Sequence, residues 1–140
     1  MRIGAIENGI VIDHITAGKG LELYHLLKLD NLDCAVAIIQ NAVSKKMGRK
    51  EIIKVGASID VDMDILGYVD PNATVAIIRN GELVEKKTIE LPLELRNVLV
   101  CKNPRCITST EQELPQVFYL ADKERQIYRC QYCEEKYNNK

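Results

Sequence analysis

Cys101-Lys-Asn-Pro-Arg-Cys106 and Cys130-Gln-Tyr-Cys133 decide how the last third of this chain folds. They bring four cysteines in two pairs, while the fifth, Cys34, lies far away. Two short knuckles brought together offer four thiolates, the tetrahedral set taken by a structural zinc. The second pair has the usual knuckle spacing; the first is two residues wider, with Pro104 helping to bend it. Two disulfides, four unconnected buried thiols and a rubredoxin-type iron are the other readings. Nothing marks the chain as secreted, which favours metal over disulfide. Rubredoxin knuckles rely on a glycine after the cysteine, and here Ile107 and Glu134 stand there, which favours zinc over iron.

Energetics point the same way. The segment from Asn97 to Lys140 holds the chain's one Phe, no Trp and few aliphatic residues. Domains of about 40 residues seldom fold without a staple. A structural zinc contributes roughly 10–16 kcal/mol of apparent binding energy, which becomes folding energy. Lys102, Arg105 and Arg129 lie beside the ligands in sequence and offset the double negative charge of four thiolates on one zinc. Four protein ligands leave no open position, so the expected role is structural, with one Zn2+ per chain.

The 140 residues leave room for one ordinary domain or two small ones. A formal net charge of -1 argues against a nucleic-acid partner. No apolar run approaches ~18 residues and no signal-peptide pattern opens the sequence, so neither a membrane nor a secretory role is expected. The expectation is a cytoplasmic protein whose main core is built from Ile, Val, Leu and Ala.

Ile3–Ile6, Asn8-Gly9 and Ile10-Val11-Ile12 read as a β-hairpin, because Asn-Gly supplies the positive φ angles of a two-residue turn. Leu21–Leu29 reads as an amphipathic helix with Leu23, Leu26 and Leu27 inward. Cys34–Ile39 and Glu51–Val55 read as strands, with a polar loop over Asn41–Arg49 between them. Asp60–Leu66 reads as a second helix, acidic in its first turn and ended by Gly67. Thr74–Ile78, Asn80-Gly81 and Glu82–Ile89 form another hairpin. The interleaving predicts a ferredoxin-like α+β fold over residues 1–96, one antiparallel sheet with two helices on one face. A small zinc-ribbon or rubredoxin-like β domain follows over 97–140, with strands at Val98–Val100, Gln116–Leu120 and Ile127–Arg129.

No nucleophile–base pair, Walker loop or Gly-x-Gly-x-x-Gly is present, and Cys34 reads as a small core residue. His25 reads as a residue of the helix surface or core edge. Asp13-His14 is either a turn or a polar pair at the mouth of a ligand site. Lys45, Lys46, Arg49, Lys50 and Lys54 crowd one loop and strand, and Lys86-Lys87 lie on the last hairpin. By themselves they make a solvated basic face; a phosphate-bearing ligand gives them a purpose.

Gly9-Ile-Val-Ile-Asp-His-Ile15, Met47-Gly-Arg-Lys-Glu-Ile-Ile-Lys54, Pro71-Asn-Ala-Thr-Val75, Asn97-Val-Leu-Val-Cys101 and Cys130-Gln-Tyr-Cys-Glu134 occur in that order. Together they resemble the regulatory chains of aspartate carbamoyltransferase, from Ile3 to Tyr137. The resemblance implies a non-catalytic chain of pyrimidine biosynthesis. Its N-terminal domain would bind CTP, UTP and ATP and pair with a second copy of itself. Its zinc domain would hold the separate catalytic chain, CTP favouring the tense state and ATP the relaxed one. A stand-alone zinc-ribbon interaction module without nucleotide control is the alternative.

Carried over position by position, the resemblance puts the ribose contact on Asp13 and a phosphate-end contact on His14. It puts lysine contacts on Lys54 and Lys86 with Lys50 nearby, and apolar base-pocket positions on Ile6, Val11, Ile52, Ile78 and Leu83. The metal ligands are Cys101, Cys106, Cys130 and Cys133. Ala76 and Gly81 stand where well-known members place an Asn and a Tyr near the base. Arg105 and Glu135 replace an Asn and a Lys at the catalytic-chain interface, and the sequence begins several residues later than in those members.

Overall fold

The computed structural model describes residues 7–137. The chain divides into two units, Met1–Glu90 and Leu91–Lys140. In the first, β1 (Gly9–Thr16), α1 (Gly20–Leu26), a 3-10 turn (Leu29–Asn31), β2 (Val36–Ser44), β3 (Gly48–Val55), α2 (Met63–Val69), β4 (Thr74–Arg79) and β5 (Glu82–Thr88) follow one another. The sheet has the order β2-β3-β1-β4-β5 with every pairing antiparallel, a ferredoxin-like βαββαβ arrangement extended by β5 beside β4. Strand alternation decides which residues face the helices. Ile10, Ile12, Ile15, Ile53, Val55 and Val75 pack with Leu23, Leu29, Leu66 and Val69 in one aliphatic core. The alternate residues occupy the opposite sheet face, away from the helices.

Two buried carboxylates tie loops to this core. Glu51 accepts hydrogen bonds from the amides of Gly18 (3.0 Å) and Gly20 (2.6 Å), fixing the entry to α1. A Cβ at position 20 would fall 2.5 Å from Glu51 Oε1, which is why glycine stands there. Asp70, fully buried, accepts from the amides of Thr16 (2.5 Å) and Asn72 (3.1 Å) at the end of α2.

Several expected boundaries move. The helix expected over Leu21–Leu29 ends at Leu26, because Lys28 turns to φ 56 and a 3-10 turn takes over. The second helix runs Met63–Val69 instead of starting at Asp60: the Asp62 carboxylate caps the amides of Asp64 and Ile65, and Gly67 is a buried residue inside the helix, not its stop. The polar loop expected over Asn41–Arg49 is mostly strand. A bulge between Ile39 and Ala42, with Asn41 at φ 60, absorbs the polar residues, and the connection shortens to a turn where Ser44 Oγ accepts from the Met47 amide and Gly48 adopts φ 79. The Asn80-Gly81 hairpin is present, both residues at positive φ (53 and 78). The first strand of the N-terminal hairpin, Ile3–Ile6, lies outside the described residues. Glu7 and Asn8 meet the Asn80-Gly81 turn, the Glu7 carbonyl accepting from Gly81 and the Asn8 side chain from Asn80.

The second unit is a three-stranded antiparallel sheet, β6 (Glu94–Arg96), β7 (Val117–Asp122) and β8 (Ile127–Cys130), with a short helix α3 (Ile107–Thr110). Its edge strand is Glu94–Arg96, not Val98–Val100. Asn97, at φ 57, ends pairing with β7 and exchanges two hydrogen bonds with Gln116 through its amide and side chain. Because Glu94–Arg96 pairs with β7, the division of the chain falls at Glu90 rather than at Arg96. Leu95, Leu99, Val117, Phe118 and Tyr128 form its small core beside the cysteines. Among the described residues no helix is long and apolar enough to cross a membrane.

Candidate metal centre and ligand face

The four knuckle cysteines converge. Their Sγ atoms all lie within 4.8 Å of one another, with Cys101–Cys133 and Cys106–Cys130 each at 3.7 Å. A tetrahedral zinc with Zn–S of about 2.3 Å spaces its sulfurs about 3.8 Å apart, so the cluster fits the ion closely. All five cysteines are free thiols, which removes the two-disulfide reading, and Cys34 stands outside the cluster against the N-terminal core.

Backbone turns set the ligands. The Cys106 amide donates to the Asn103 carbonyl, the Cys130 amide to Glu135, and the Cys101 amide to Gln116 Oε1. Glu134 adopts φ 66, the conformation a glycine ordinarily supplies after the second cysteine of a knuckle. It is held there by the Tyr119 hydroxyl, which donates to its carboxylate, and by Arg129, which donates to its carbonyl at 2.9 Å. The missing glycine therefore leaves the knuckle geometry intact and does not by itself separate zinc from iron. Lys102 stacks over the Tyr137 ring, its Nζ 5.5 Å from the centroid.

Three of these sulfurs, those of Cys101, Cys106 and Cys130, hold their protons unequally. Burial drives Cys101 up to about 12 and raises Cys130 as well. At Cys106 burial also raises the pKa, but hydrogen bonds from Thr108 outweigh it and bring the thiol down to about 7. A metal takes these sulfurs as thiolates, so its capture at neutral pH releases protons.

In the N-terminal unit the strand register assembles a second constellation. Val11 pairs with Lys54 on β3 and with Ala76 on β4, Lys54 pairs onward with Ala37, and Ala76 with Lys86. Directly paired residues share a face, so Lys54, Val11, Ala76 and Lys86 form one row across the sheet on the side away from the helices. Lys54 and Lys86 are three strand spacings apart, about 14 Å at the backbone, a gap two extended lysines can close on one ligand. Ile78 pairs with Gly9 and Leu83 beside this row, and Ile52 alternates with Lys50 and Lys54 on the same face.

Asp13 and His14 occupy a bulge within β1, between Ile12 and Ile15, and not a turn. His14 takes φ 57, donates its amide to Asp13 Oδ1 (2.6 Å) and shares a 3.0 Å hydrogen bond between Nδ1 and Thr74 Oγ1. Lys50 Nζ meets Asp13 Oδ1 at 3.0 Å. Burial works to raise the Asp13 pKa, but the Lys50 ammonium and the His14 amide outweigh it, and the carboxyl titrates below its ordinary value.

Models of two families cover the sequence. One, the allosteric domain of the aspartate carbamoyltransferase regulatory chain, matches residues 1–90; the other, the metal-binding domain of the same chain, matches residues 93–140. The chain belongs to the aspartate carbamoyltransferase regulatory-chain family. Regulatory chains from Clostridium botulinum (48% identical; 99% of this chain, 94% of the relative) and Clostridium tetani (47%; 98% and 96%) are similar over nearly their full lengths. So is the one from Bifidobacterium longum (45%; 96% and 97%).

In this regulatory-chain fold, Val11, Asp13, His14, Lys50, Ile52, Lys54, Ile78, Leu83 and Lys86 come together on or beside one sheet face. Ile6 lies outside the described residues. Arg49 and Lys87 alternate away from Lys50 and Lys86, and Lys45 and Lys46 sit in the β2–β3 turn, so these basic residues do not join the row. Thr74, the partner of His14, escaped the sequence reading. Its place two residues before Ala76 in β4 was the available signal, since period-two alternation puts both on one face. Glu51 and Asp70 were likewise unread, because only the fold shows which loop amides they reach.

Proposed function

We propose that this regulatory chain binds nucleoside triphosphates, CTP, UTP and ATP, on the helix-free face of its N-terminal sheet and controls separate aspartate carbamoyltransferase catalytic chains held through its zinc-bearing C-terminal unit. The observation that carries the reading is the row Lys54–Val11–Ala76–Lys86 with the Asp13–Lys50 pair beside it. Apolar Val11, Ile52, Ile78 and Leu83 suit a base. The Asp13 carboxylate accepts from ribose hydroxyls, and Lys54, Lys86, Lys50 and His14 answer the triphosphate charge. The Asp13–Lys50 pair is ready for exchange: a nucleotide gives each partner a new one. The chain carries no catalytic residues of its own in this reading.

The zinc, one per chain, is structural. Its thiolate cage fixes the knuckles, and Arg105 and Glu135 beside them face the catalytic chain. Two copies pair through the N-terminal unit, where, among the described residues, β2 and β5 are the outer strands of the sheet. Calorimetric titration of the purified chain with CTP and with ATP tests the effector site. Saturable binding of both nucleotides is expected, and absence of heat and of competition between them would remove the assignment.

A further inference from the structure

The geometry points to Thr108 as a positioning residue of the metal centre, its hydroxyl holding the Cys106 thiolate toward the ion. This rests on the reading of the four cysteines as a metal site. Thr108 Oγ1 donates to Cys106 Sγ at 3.1 Å, and both residues are buried, at 4% and 2% exposure. Its neighbours in α3 spend their hydroxyls on the backbone: Ser109 donates to the Asn103 carbonyl and Thr110 to that of Ile107. Thr108 alone of the three turns to sulfur. A hydroxyl so buried has no water to fall back on, and a hydrogen bond to an anionic acceptor is stronger than one to a neutral thiol. It therefore favours the charged sulfur that a metal requires over the protonated one. The contact also fixes the Cys106 side chain on the inner side of the knuckle, as partners of ligand atoms do in metal sites generally.

Thr108→Val keeps the shape and removes the hydroxyl, whereas Thr108→Ser keeps the hydroxyl. Zn2+ affinity of the full chain is read by chelator competition from pH 6 to 8, and Co2+ is used as a spectroscopic probe. Thr108→Val is expected to bind Zn2+ about 10- to 100-fold more weakly. It should release the ion at higher pH than the parent, and its thiolate-to-cobalt band should move to longer wavelength. Thr108→Ser should follow the parent in all three. A Thr108→Val chain that takes up no metal, beside a Thr108→Ser chain that does, supports the same conclusion. Equal affinity and equal spectra for Thr108→Val and the parent overturn it, as does equal weakening by Val and Ser. A parent that binds neither ion overturns the metal reading along with it.

Discussion

A Cys130→Ala chain is expected to lose its metal and the order of its C-terminal unit together, while the N-terminal unit stays folded. Cys130 is fully buried, its Sγ lies 3.7 Å from that of Cys106, and it ends β8, so ligand and sheet fail at one point. The apolar core around it is too small to replace a bound structural zinc, whose apparent binding free energy of roughly 10–16 kcal/mol is folding free energy for such a unit. The aliphatic core of the N-terminal unit draws on none of these residues. Metal analysis should show less than one-tenth equivalent of zinc, against one in the parent. Amide exchange should show protection lost after Leu91 and kept in β1, β3 and β4. Association with catalytic chains should disappear. A variant that keeps a full zinc equivalent, or a parent that carries iron, contradicts the assignment.

Lys86→Ala is expected to weaken CTP and ATP binding by roughly 10- to 150-fold, the equivalent of one hydrogen bond to a charged group at about 1.5–3 kcal/mol. Lys86 lies on the edge strand β5, opposite Ala76 and at one end of the row that Lys54 closes at the other. In the proposed site its removal would leave the triphosphate one cation short without touching the core or the knuckles. Thermal stability and assembly with catalytic chains should match the parent, so a calorimetric loss isolates the ligand contact. Unchanged CTP affinity in this variant would show that the phosphates lie elsewhere on the face.

What was legible in the sequence was local. The knuckles declare themselves because backbone turn and ligand spacing are coupled within a few residues. Asn80-Gly81 declares its hairpin because both positions need positive φ. Glu51–Val55 declares itself as a strand, and alternation along it is the signal that puts Lys50, Ile52 and Lys54 on one face. What sequence could not carry was the pairing of distant strands. That Lys54 and Lys86 flank the same Val11–Ala76 pair depends on β1 lying between β3 and β4, a consequence of the crossover helices and not of any nearby residue. Boundaries failed where two local signals competed. Asp60, Asp62 and Asp64 all suit the start of a helix, and only in the folded loop does Asp62 reach the two amides that settle the cap. Polar Asn41–Arg49 reads as a loop, since a bulge at Asn41 leaves no clear mark in composition. Thr108 was passed over because a Thr after a cysteine is unremarkable until its hydroxyl is seen against the sulfur.

The most direct test of control from one polypeptide to another is aspartate saturation of catalytic trimers reconstituted with this chain, measured with and without CTP and ATP. The account predicts that the chain alone turns over no substrate. In the reconstituted complex, CTP and ATP should shift the aspartate response in opposite directions, and Lys86→Ala should blunt both shifts without lowering activity in the absence of nucleotide. A complex that assembles and turns over with saturation curves indifferent to saturating CTP and ATP would contradict it, leaving a metal-stapled scaffold in place of a regulatory subunit.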